Sequence, residues 1–478
     1  MSDILEDTVR QVPEIMDDYA TWLETWKRLR SQRFDTVALA RHDNRLAVLL
    51  LDRDTGELTP LSWAFHPPGA IPSPTAVGLC DAAAAEHRLA VEWPELGWTA
   101  PKPPPVHGKG VFVYPLGPVR ADVAESVLYK LSVMGDDIVH VYVENGYKDR
   151  HIRTIVRGRT VAEALPVISL YTTTSNVHHS LAMALAVEQA WRVEVSEDID
   201  TTRTLMGELE RVYSHCSDLA SLAVSTGLPV PQMEYLHLKE EVLRLNHSLF
   251  GHRYMRGSVV PGGLDTTLWP AGGSTVEAQK IVDRVSHQST KIARDLEKTT
   301  SFLDRLHGAG VIPQAALESV HPVGPIGRAS GLLVDIRQVR PYAAYHRFPI
   351  TPALEQAADS YARFSVRIQE LEASLAVIRA ILGTWSREKS TAAAVANSVG
   401  SGAPAASIGA AVVEAPRGML GYWVRFDPES GRIVDLAVAT PSQRNWMVYA
   451  PAMASGNILQ DFPIIDASFS LSVAGWDG

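Results

Sequence analysis

Cysteine is nearly absent from this chain. Its 478 residues include only two, Cys80 and Cys216, and neither belongs to a Cys-x-x-Cys pair. Iron–sulfur and zinc sites with four thiolates usually take their ligands from such pairs, so the chain does not supply one by itself. Because a free cysteine packs as a small hydrophobic residue, we expect both thiols to be buried in the core.

The sequence also has no long apolar run and no excess of positive charge. No stretch approaches the roughly 18–20 apolar residues that a membrane span needs, and the start, MSDILEDTVRQ, lacks the apolar core of a signal peptide. A net charge of −10 argues against a nucleic-acid binder that works by neutralising phosphates. The phosphate-binding patterns GxxxxGK[ST] and GxGxxG are missing as well. We therefore expect a protein that is cytoplasmic, or peripheral to the cell membrane on its cytoplasmic side.

The composition is that of an ordinary globular protein, with 46% hydrophobic and 21% charged residues. The length suits two or three domains. Residues 1–104 are predicted to form a separate α+β module, in which residues 36–65 alternate as about three strands and a helix is indicated by apolar residues at helical spacing, namely Tyr19, Leu23, Trp26 and Leu29. The Pro-rich segment 100–110 reads as a linker.

Beyond the linker, the pattern changes from strands to long helices. A β-rich segment extends to about residue 148. Two apolar stripes at 3–4 spacing predict long helices, each followed by a glycine. The other predictions are a more polar helix and a loop of small residues, followed by a hairpin. In chain order, the helices are predicted over 205–223 (before Gly227), 274–305 (the polar helix) and 361–382 (before Gly383). The loop is predicted over 389–411 and the hairpin over 412–440, with its turn at 427–431.

One stretch indicates a binding site. In "SLYTTTSNVHHSLAMALAVEQAW" (169–191) hydroxyl-bearing residues run into two histidines and then into an apolar helix. Polar groups at the start of a buried helix are well placed to bind a ligand.

Several stretches carry a resemblance because they occur together and in a fixed order. Among them are "GPVRADVAESVLYKL", "ENGYKDRHIRTI", "SNVHHSLAMALAVEQAW" and "EAPRGMLGYWVRFD". From about residue 108 onward the chain resembles the large subunit of NiFe hydrogenases and its relative, the quinone-site core subunit of respiratory complex I. It is most similar to the cysteine-less, formate hydrogenlyase-like proteins related to energy-converting hydrogenases. The resemblance implies an α+β chain: a degenerate complex I small-subunit-like module (1–104) fused to a mostly helical hydrogenase-like core with a peripheral β region (105–478).

The resemblance also shows what is missing. The hydrogenases hold nickel with two Cys-x-x-Cys pairs, and those positions correspond here to Thr172 and Ser175 and to Ser472 and Gly475. Hydroxyls and a glycine do not replace thiolates at nickel, and the proton-relaying glutamate of the family corresponds to Ser169. We therefore expect no metal site and no hydrogenase activity.

The resemblance implies that the vacated cavity holds a small molecule. Arg120, Arg417, Thr172, Ser175 and Ser472 would bind it. The alternative for the two arginines is a structural ion pair with Asp461 or Asp466, because an isolated buried charge is costly.

Three further residues would act as the catalytic groups of that cavity, namely Tyr171, His178 and His179. The helix dipole would keep both histidines neutral. The alternative is a pair of surface or capping histidines.

A charge relay is the last element that the resemblance implies. Glu208, Arg211 and His215 share one face of a helix, and with Asp461 they would carry charge between the redox site and the membrane. The alternative is an ordinary solvated helix surface.

Two functions follow from these expectations. In the first, the chain is an oxidoreductase-complex subunit whose metal-free cavity binds a quinone or another small acceptor, and its reduction drives ion translocation. The chain binds no cofactor itself; electrons arrive from an iron–sulfur cluster in a partner small subunit, and antiporter-like membrane subunits complete the assembly. In the second, the chain is an inactive scaffold or conformational coupler of the same complex.

Overall fold

The computed structural model describes the backbone of three early strands (34–42, 45–52, 58–64) and residues 106, 108–120, 125–270, 273–386, 389–390 and 399–477. The predicted early helix and the linker residues 100–105 lie outside these residues, as does Cys80. Helices and antiparallel sheets alternate through the chain, so the α+β class is confirmed. Within the described part, none of the helices is long and apolar enough to cross a membrane.

The early strands form the predicted meander. Strands β1 (Phe34–His42), β2 (Arg45–Asp52) and β3 (Leu58–Ala64) pair antiparallel in that order. A second three-stranded antiparallel sheet follows, with β4 (Val111–Leu116), β5 (Leu128–Met134) and β6 (Asp137–Glu144). It corresponds to the β-rich segment that the sequence predicts.

The helical body begins at residue 152. Its elements, in chain order, are α1 (Ile152–Val156), α2 (Val161–Ile168), α3 (Asn176–Trp191), α4 (Glu197–Ser225), α5 (Pro229–Phe250), the short pair β7 (Val259–Val260) and β8 (Gly263–Leu264), α6 (Thr275–Glu297), α7 (Thr300–Leu306), α8 (Gln314–Val320), α9 (Gly324–Arg328), α10 (Ile336–Val339) and α11 (Ser360–Leu382). The polar helix predicted over 274–305 is thus two helices, because residues 298–299 interrupt it.

The two apolar stripes of the sequence lie on helices α4 and α11, and each helix ends at the position that its glycine predicts. Gly227 has a φ of 82°, and the amide of Leu228 donates to the carbonyl of Ala223, which closes the end of α4. Gly383 instead caps α11 with an ordinary right-handed conformation. Cys216 lies on α4 and is fully buried, as expected.

The C-terminal part contains a third three-stranded antiparallel sheet and two α-helices. Strands β9 (Ile408–Ala415), β10 (Gly418–Phe426) and β11 (Ile433–Ala439) precede α12 (Pro441–Met453) and α13 (Phe462–Phe469). The turn at 427–431 is confirmed, but β9 begins inside the segment predicted as a loop. Its residues 408–411 pair with β10, and this pairing supplies partners for their backbone groups.

Two glycines let the β9–β10 turn approach α9. A Cβ on Gly324 would lie 2.2 Å from the carbonyl oxygen of Arg417 and 2.5 Å from the Cα of Gly418, and Gly324 has a φ of +66°. Neither the space nor the backbone accepts a larger residue. This contact fixes the turn that carries Arg417 against the helical body.

Candidate functional site

The start of α3 is capped by a carboxylate from α4. Ser175, the residue before the helix, makes no capping bond with its side chain. Instead Glu210 accepts the amide hydrogens of Val177 (2.9 Å) and His178 (3.0 Å), and it also binds the His178 ring nitrogen Nδ1 at 2.5 Å. A buried negative charge at a helix N-terminus satisfies free amides and complements the helix dipole.

The two histidines are buried, so the expectation that they lie at the surface is wrong. His178 has no exposed surface, and burial lowers its pKa although Glu210 opposes this. The ring of His179 stacks on Tyr171 with centroids 4.7 Å apart, and its Nδ1 lies 2.7 Å from the Tyr422 hydroxyl. Burial, helped by the nearby His178 and Arg150, lowers the pKa of His179 to about 3. Both rings are therefore neutral parts of a packed interior.

This burial gives a prediction about acid stability. Between the folded pKa of about 3 and an unfolded pKa near 6.5, the unfolded chain binds the extra proton. His179 therefore lowers the free energy of unfolding by up to about 1.4 kcal/mol for each pH unit below 6.5. We expect His179→Asn, which keeps a polar atom at the Nδ1 position, to lose this part of the slope in urea titrations at pH 4–7.

Arg417, in the turn between β9 and β10, joins three separate segments. Its guanidinium donates to the Thr174 hydroxyl (2.5 Å) and to the Ser470 carbonyl (2.5 Å), and it lies 3.3 Å from Asp218 of α4. The predicted partners Asp461 and Asp466 are therefore wrong for this arginine. Asp218 was missed because α4 reads as an amphipathic helix and gives no sign that this carboxylate turns inward.

A second arginine, Arg150, ties the same segments together. It donates to the carbonyls of Leu170 and Tyr171, each at 2.7 Å, and to that of Ala474 at 3.4 Å. The loop that begins "TTTS" and the C-terminal segment 470–475 thus meet around Arg150 and Arg417. The sequence offered no signal for Arg150 beyond its place in the motif "KDRHIRTI".

The four positions of the hydrogenase cysteines do not fit a nickel centre. Thr172 is buried and its hydroxyl has no hydrogen-bond partner among the described atoms, while the Ser472 hydroxyl accepts the amide hydrogen of Gly475 at 3.1 Å. A Cβ on Gly475 would lie 3.3 Å from both Ser442 and Thr440. Neutral oxygens in such a tight space are poor nickel ligands. In the described part of the chain, no three His, Cys, Asp or Glu side chains are grouped to hold a metal.

An open cleft of about 980 Å³ lies beside this site, between the β4–β6 sheet, the end of α4 and the C-terminal segment. Most of its lining is apolar, and its polar lining groups include Arg120, Glu125, Asp466, two tyrosines and a few serines such as Ser470. The carbonyl of Ser470 is the one that Arg417 binds. The other predicted site residues, Tyr171, His178, His179, Thr172, Ser175 and Ser472, do not line it.

Arg120 stands in the cleft wall. Its guanidinium carbon lies 5.8 Å from the centre of the Tyr129 ring, and its Nε has no hydrogen-bond partner among the described atoms. The Tyr129 hydroxyl donates to Asp466 at 3.2 Å, and Tyr449 donates to the same oxygen at 2.8 Å. Asp466 therefore binds two tyrosines here. Asp461 lies apart and caps its own turn by accepting the Ile458 amide hydrogen.

The predicted relay residues on α4 are also buried, so the expectation of a solvated helix surface is wrong. Glu208, Arg211 and His215 have no exposed surface. They belong to a buried ion cluster that we define by seven charged residues and His215: Glu208, Arg211, Arg328, Asp335, Arg337, Glu370 and Glu414. The cluster fixes α4 to α9, α10, α11 and β9. Asp461 is not part of it.

Comparisons with known proteins agree with this fold. Residues 226–400 match the family described as "Respiratory-chain NADH dehydrogenase, 49 Kd subunit". An NADH-quinone oxidoreductase subunit of Desulfotalea psychrophila is 30% identical over 268 residues, which cover 56% of this chain and 71% of that protein. The carbon monoxide-induced hydrogenase of Rhodospirillum rubrum is 27% identical over 357 residues, which cover 74% of this chain and 96% of the relative.

A solved structure shows the same fold. It is a chain of the membrane-bound sulfane sulfur reductase, an archaeal respiratory membrane complex, with a TM-score of 0.69 and 21% identity. The similarity covers 77% of this chain and 99% of that one.

Proposed function

This chain belongs to the family of the respiratory-chain NADH dehydrogenase 49 Kd subunit, and from that premise we propose that it is a peripheral subunit of a membrane redox complex related to complex I and to energy-converting hydrogenases. Electrons would reach it from an iron–sulfur cluster in a partner small subunit. Antiporter-like membrane subunits would use the reaction for ion translocation.

The substrate that we propose is a quinone or another small electron acceptor bound in the cleft. One observation carries this proposal: the cleft of about 980 Å³ has mostly apolar walls and a single arginine, Arg120, among its lining residues. Small-molecule sites are concave, mostly apolar and furnished with a few polar groups that set orientation. Arg120 would donate to a carbonyl of the acceptor, and Arg417 would hold the wall at Ser470.

Arg120→Gln tests this role in the purified complex. The guanidinium is a charged donor, and losing a hydrogen bond to a charged group costs about 1.5–3 kcal/mol. We expect the KM for a water-soluble quinone to rise about 10- to 100-fold, with an exposed control, Arg244→Gln, unchanged. An unaltered KM would rule out binding of the acceptor to Arg120 in the cleft.

Isolation of the tagged chain from gently solubilised native membranes tests the assembly. We expect mass spectrometry to find an iron–sulfur subunit and antiporter-like subunits, and metal analysis to find iron without nickel. A chain that emerges alone from the soluble fraction would contradict the proposed complex.

The scaffold function remains the second candidate, and the packing of Tyr171, His178 and His179 favours it. All three side chains are buried; Tyr171 stacks on His179, His179 contacts the Tyr422 hydroxyl, and His178 contacts Glu210. Under this candidate the complex would keep its partners, while no cleft variant would change the rate of acceptor reduction.

A further inference from the structure

The buried ion cluster contains unequal numbers of acids and bases. Its charged members are four carboxylates and three guanidiniums, counted from the residues that define it. His215 does not restore the balance, since burial lowers its pKa, and its Nε2 already lies 3.0 Å from Glu370. Unpaired charge is costly in a buried site, and either a bound proton or a neighbouring positive charge can offset the excess.

The neighbouring charges have the opposite imbalance. Asp218 lies 3.6 Å from Arg367 and 3.3 Å from Arg417, so one carboxylate faces two guanidiniums. Arg367 and Glu370 are three residues apart on α11, which brings the two groups of charges together. The extra positive charge therefore lies at Arg367 and Arg417, and the extra negative charge lies in the cluster that contains Glu370.

Three of the four carboxylates in the cluster are strongly held in the charged form. Burial alone would raise the pKa of Glu208, but Arg211 and Arg337 outweigh it and lower that pKa to about 2. Arg337 binds both oxygens of Asp335, at 3.0 and 2.7 Å, and lowers its pKa against the effect of burial. Arg328 binds one oxygen of Glu370, Oε1, and lowers the pKa of Glu370 against the effect of burial, while the other oxygen accepts a hydrogen bond from His215.

Glu414 is held more weakly. One guanidinium, that of Arg328, lies 2.8 Å from its Oε1, and its Oε2 accepts only a backbone amide hydrogen, from Ile336 at 3.1 Å. Burial and the nearby Asp335 raise the pKa of Glu414 to about 7. Arg211 does not bind this carboxylate; it binds the carbonyls of Glu414 and Ala415 instead.

Glu414 is also next to the site in the chain. It lies three residues before Arg417, and the pairing of Ala415 with Gly418 makes the connection a tight turn. Three residues span at most about 11 Å between Cα atoms. This limit applies to the backbone of the two residues, and buried charges are screened less than exposed ones, so a change of charge at Arg417 can act on Glu414.

We propose that Glu414 is a proton-binding site that takes up one proton when negative charge forms on an acceptor in the cleft, whose wall Arg417 holds at Ser470, and releases it when that charge leaves. The proton comes from solvent and converts the carboxylate to a carboxylic acid, and no other bond changes. Proton binding by Glu414 is inferred from the contacts of the buried ion cluster alone. Its link to a charged acceptor rests on the proposed function.

Infrared spectroscopy of the full chain tests the proton site without any acceptor. At pH 6 we expect a C=O band of a buried carboxylic acid that is largely lost by pH 8 and that shifts when glutamate is labelled with ¹³C. Because the labelled native chain needs no substitution, the test holds even if a variant fails to fold. A missing band, or one that shifts with labelled aspartate instead, would overturn the assignment.

Two pairs of variants complete the test. Glu414→Gln should remove the band, and Glu318→Gln, an exposed glutamate, should leave it. Arg417→Gln should move the midpoint of the titration upward by about half to one pH unit, because it removes a positive charge, whereas the exposed Arg432→Gln should not. If the titration midpoint did not change in Arg417→Gln, the link between Glu414 and the candidate site would be overturned. Failure of acceptor binding would leave all of these results unchanged.

Discussion

Arg328→Met is expected to lower the free energy of unfolding by about 3–5 kcal/mol, the usual cost of removing one partner from a buried ion pair. Arg328 is fully buried on α9, and its guanidinium contacts Glu370 at 2.7 Å and Glu414 at 2.8 Å. Its loss leaves both carboxylates without a guanidinium contact. Methionine fills a similar volume, so the effect is electrostatic and not the result of a cavity.

Urea unfolding at two pH values measures this effect. Without Arg328, the folded-state pKa of both glutamates rises above that of the unfolded chain, so the folded state binds more protons and loses stability as pH rises. The variant should therefore be less stable at pH 8 than at pH 6. Arg244→Met, which removes an exposed arginine paired with Glu240, should cost under about 1 kcal/mol. Equal losses at both positions would rule out the buried cluster as the cause.

Glu210→Ala should have an effect of similar size, about 3–5 kcal/mol, because one carboxylate satisfies several buried donors. Two amides at the start of α3 and the His178 ring would lose their acceptor, as would Asn176 at 3.2 Å and Tyr213 at 3.0 Å. Glu210→Gln keeps an oxygen in place and should recover part of this loss.

Amide hydrogen exchange locates this effect. The amides of Val177 and His178 should lose protection in Glu210→Ala, while the middle of α3 should be affected only through global stability. Thr160→Ala removes the N-cap of α2 and provides a scale, with an expected cost of about 0.5–2 kcal/mol. If Glu210→Ala cost no more than this ordinary cap, the buried carboxylate would not be what holds the start of α3.

Local patterns predicted most of the fold. The apolar stripes gave α4 and α11 because a 3.6-residue period is visible in one segment alone, and the glycines gave their ends. The alternation and turn residues gave the β10–β11 hairpin in the same way. The start of β9 was missed because its residues are small and carry no clear alternation.

The site depends on contacts that no local pattern contains. The sequence placed Glu208, Arg211 and His215 on one face of α4, but it did not predict that the face is buried, because its partners come from elements more than a hundred residues away. For the same reason Arg417 was assigned the wrong carboxylate. The motifs identified the segments that meet in the folded protein. Which charged side chains pair within those segments could be seen only in the structure.

The spread of the cluster along the chain has a consequence for biosynthesis. Glu208 and Arg211 leave the ribosome about 200 residues before Glu414, so helix α4 is made long before its last partner exists. Burying α4 early would leave its charges incompletely paired, at a cost of several kcal/mol. We therefore expect a nascent chain that stops before β9 to remain open to protease along α4, and protection to appear only when β9 and β10 have emerged.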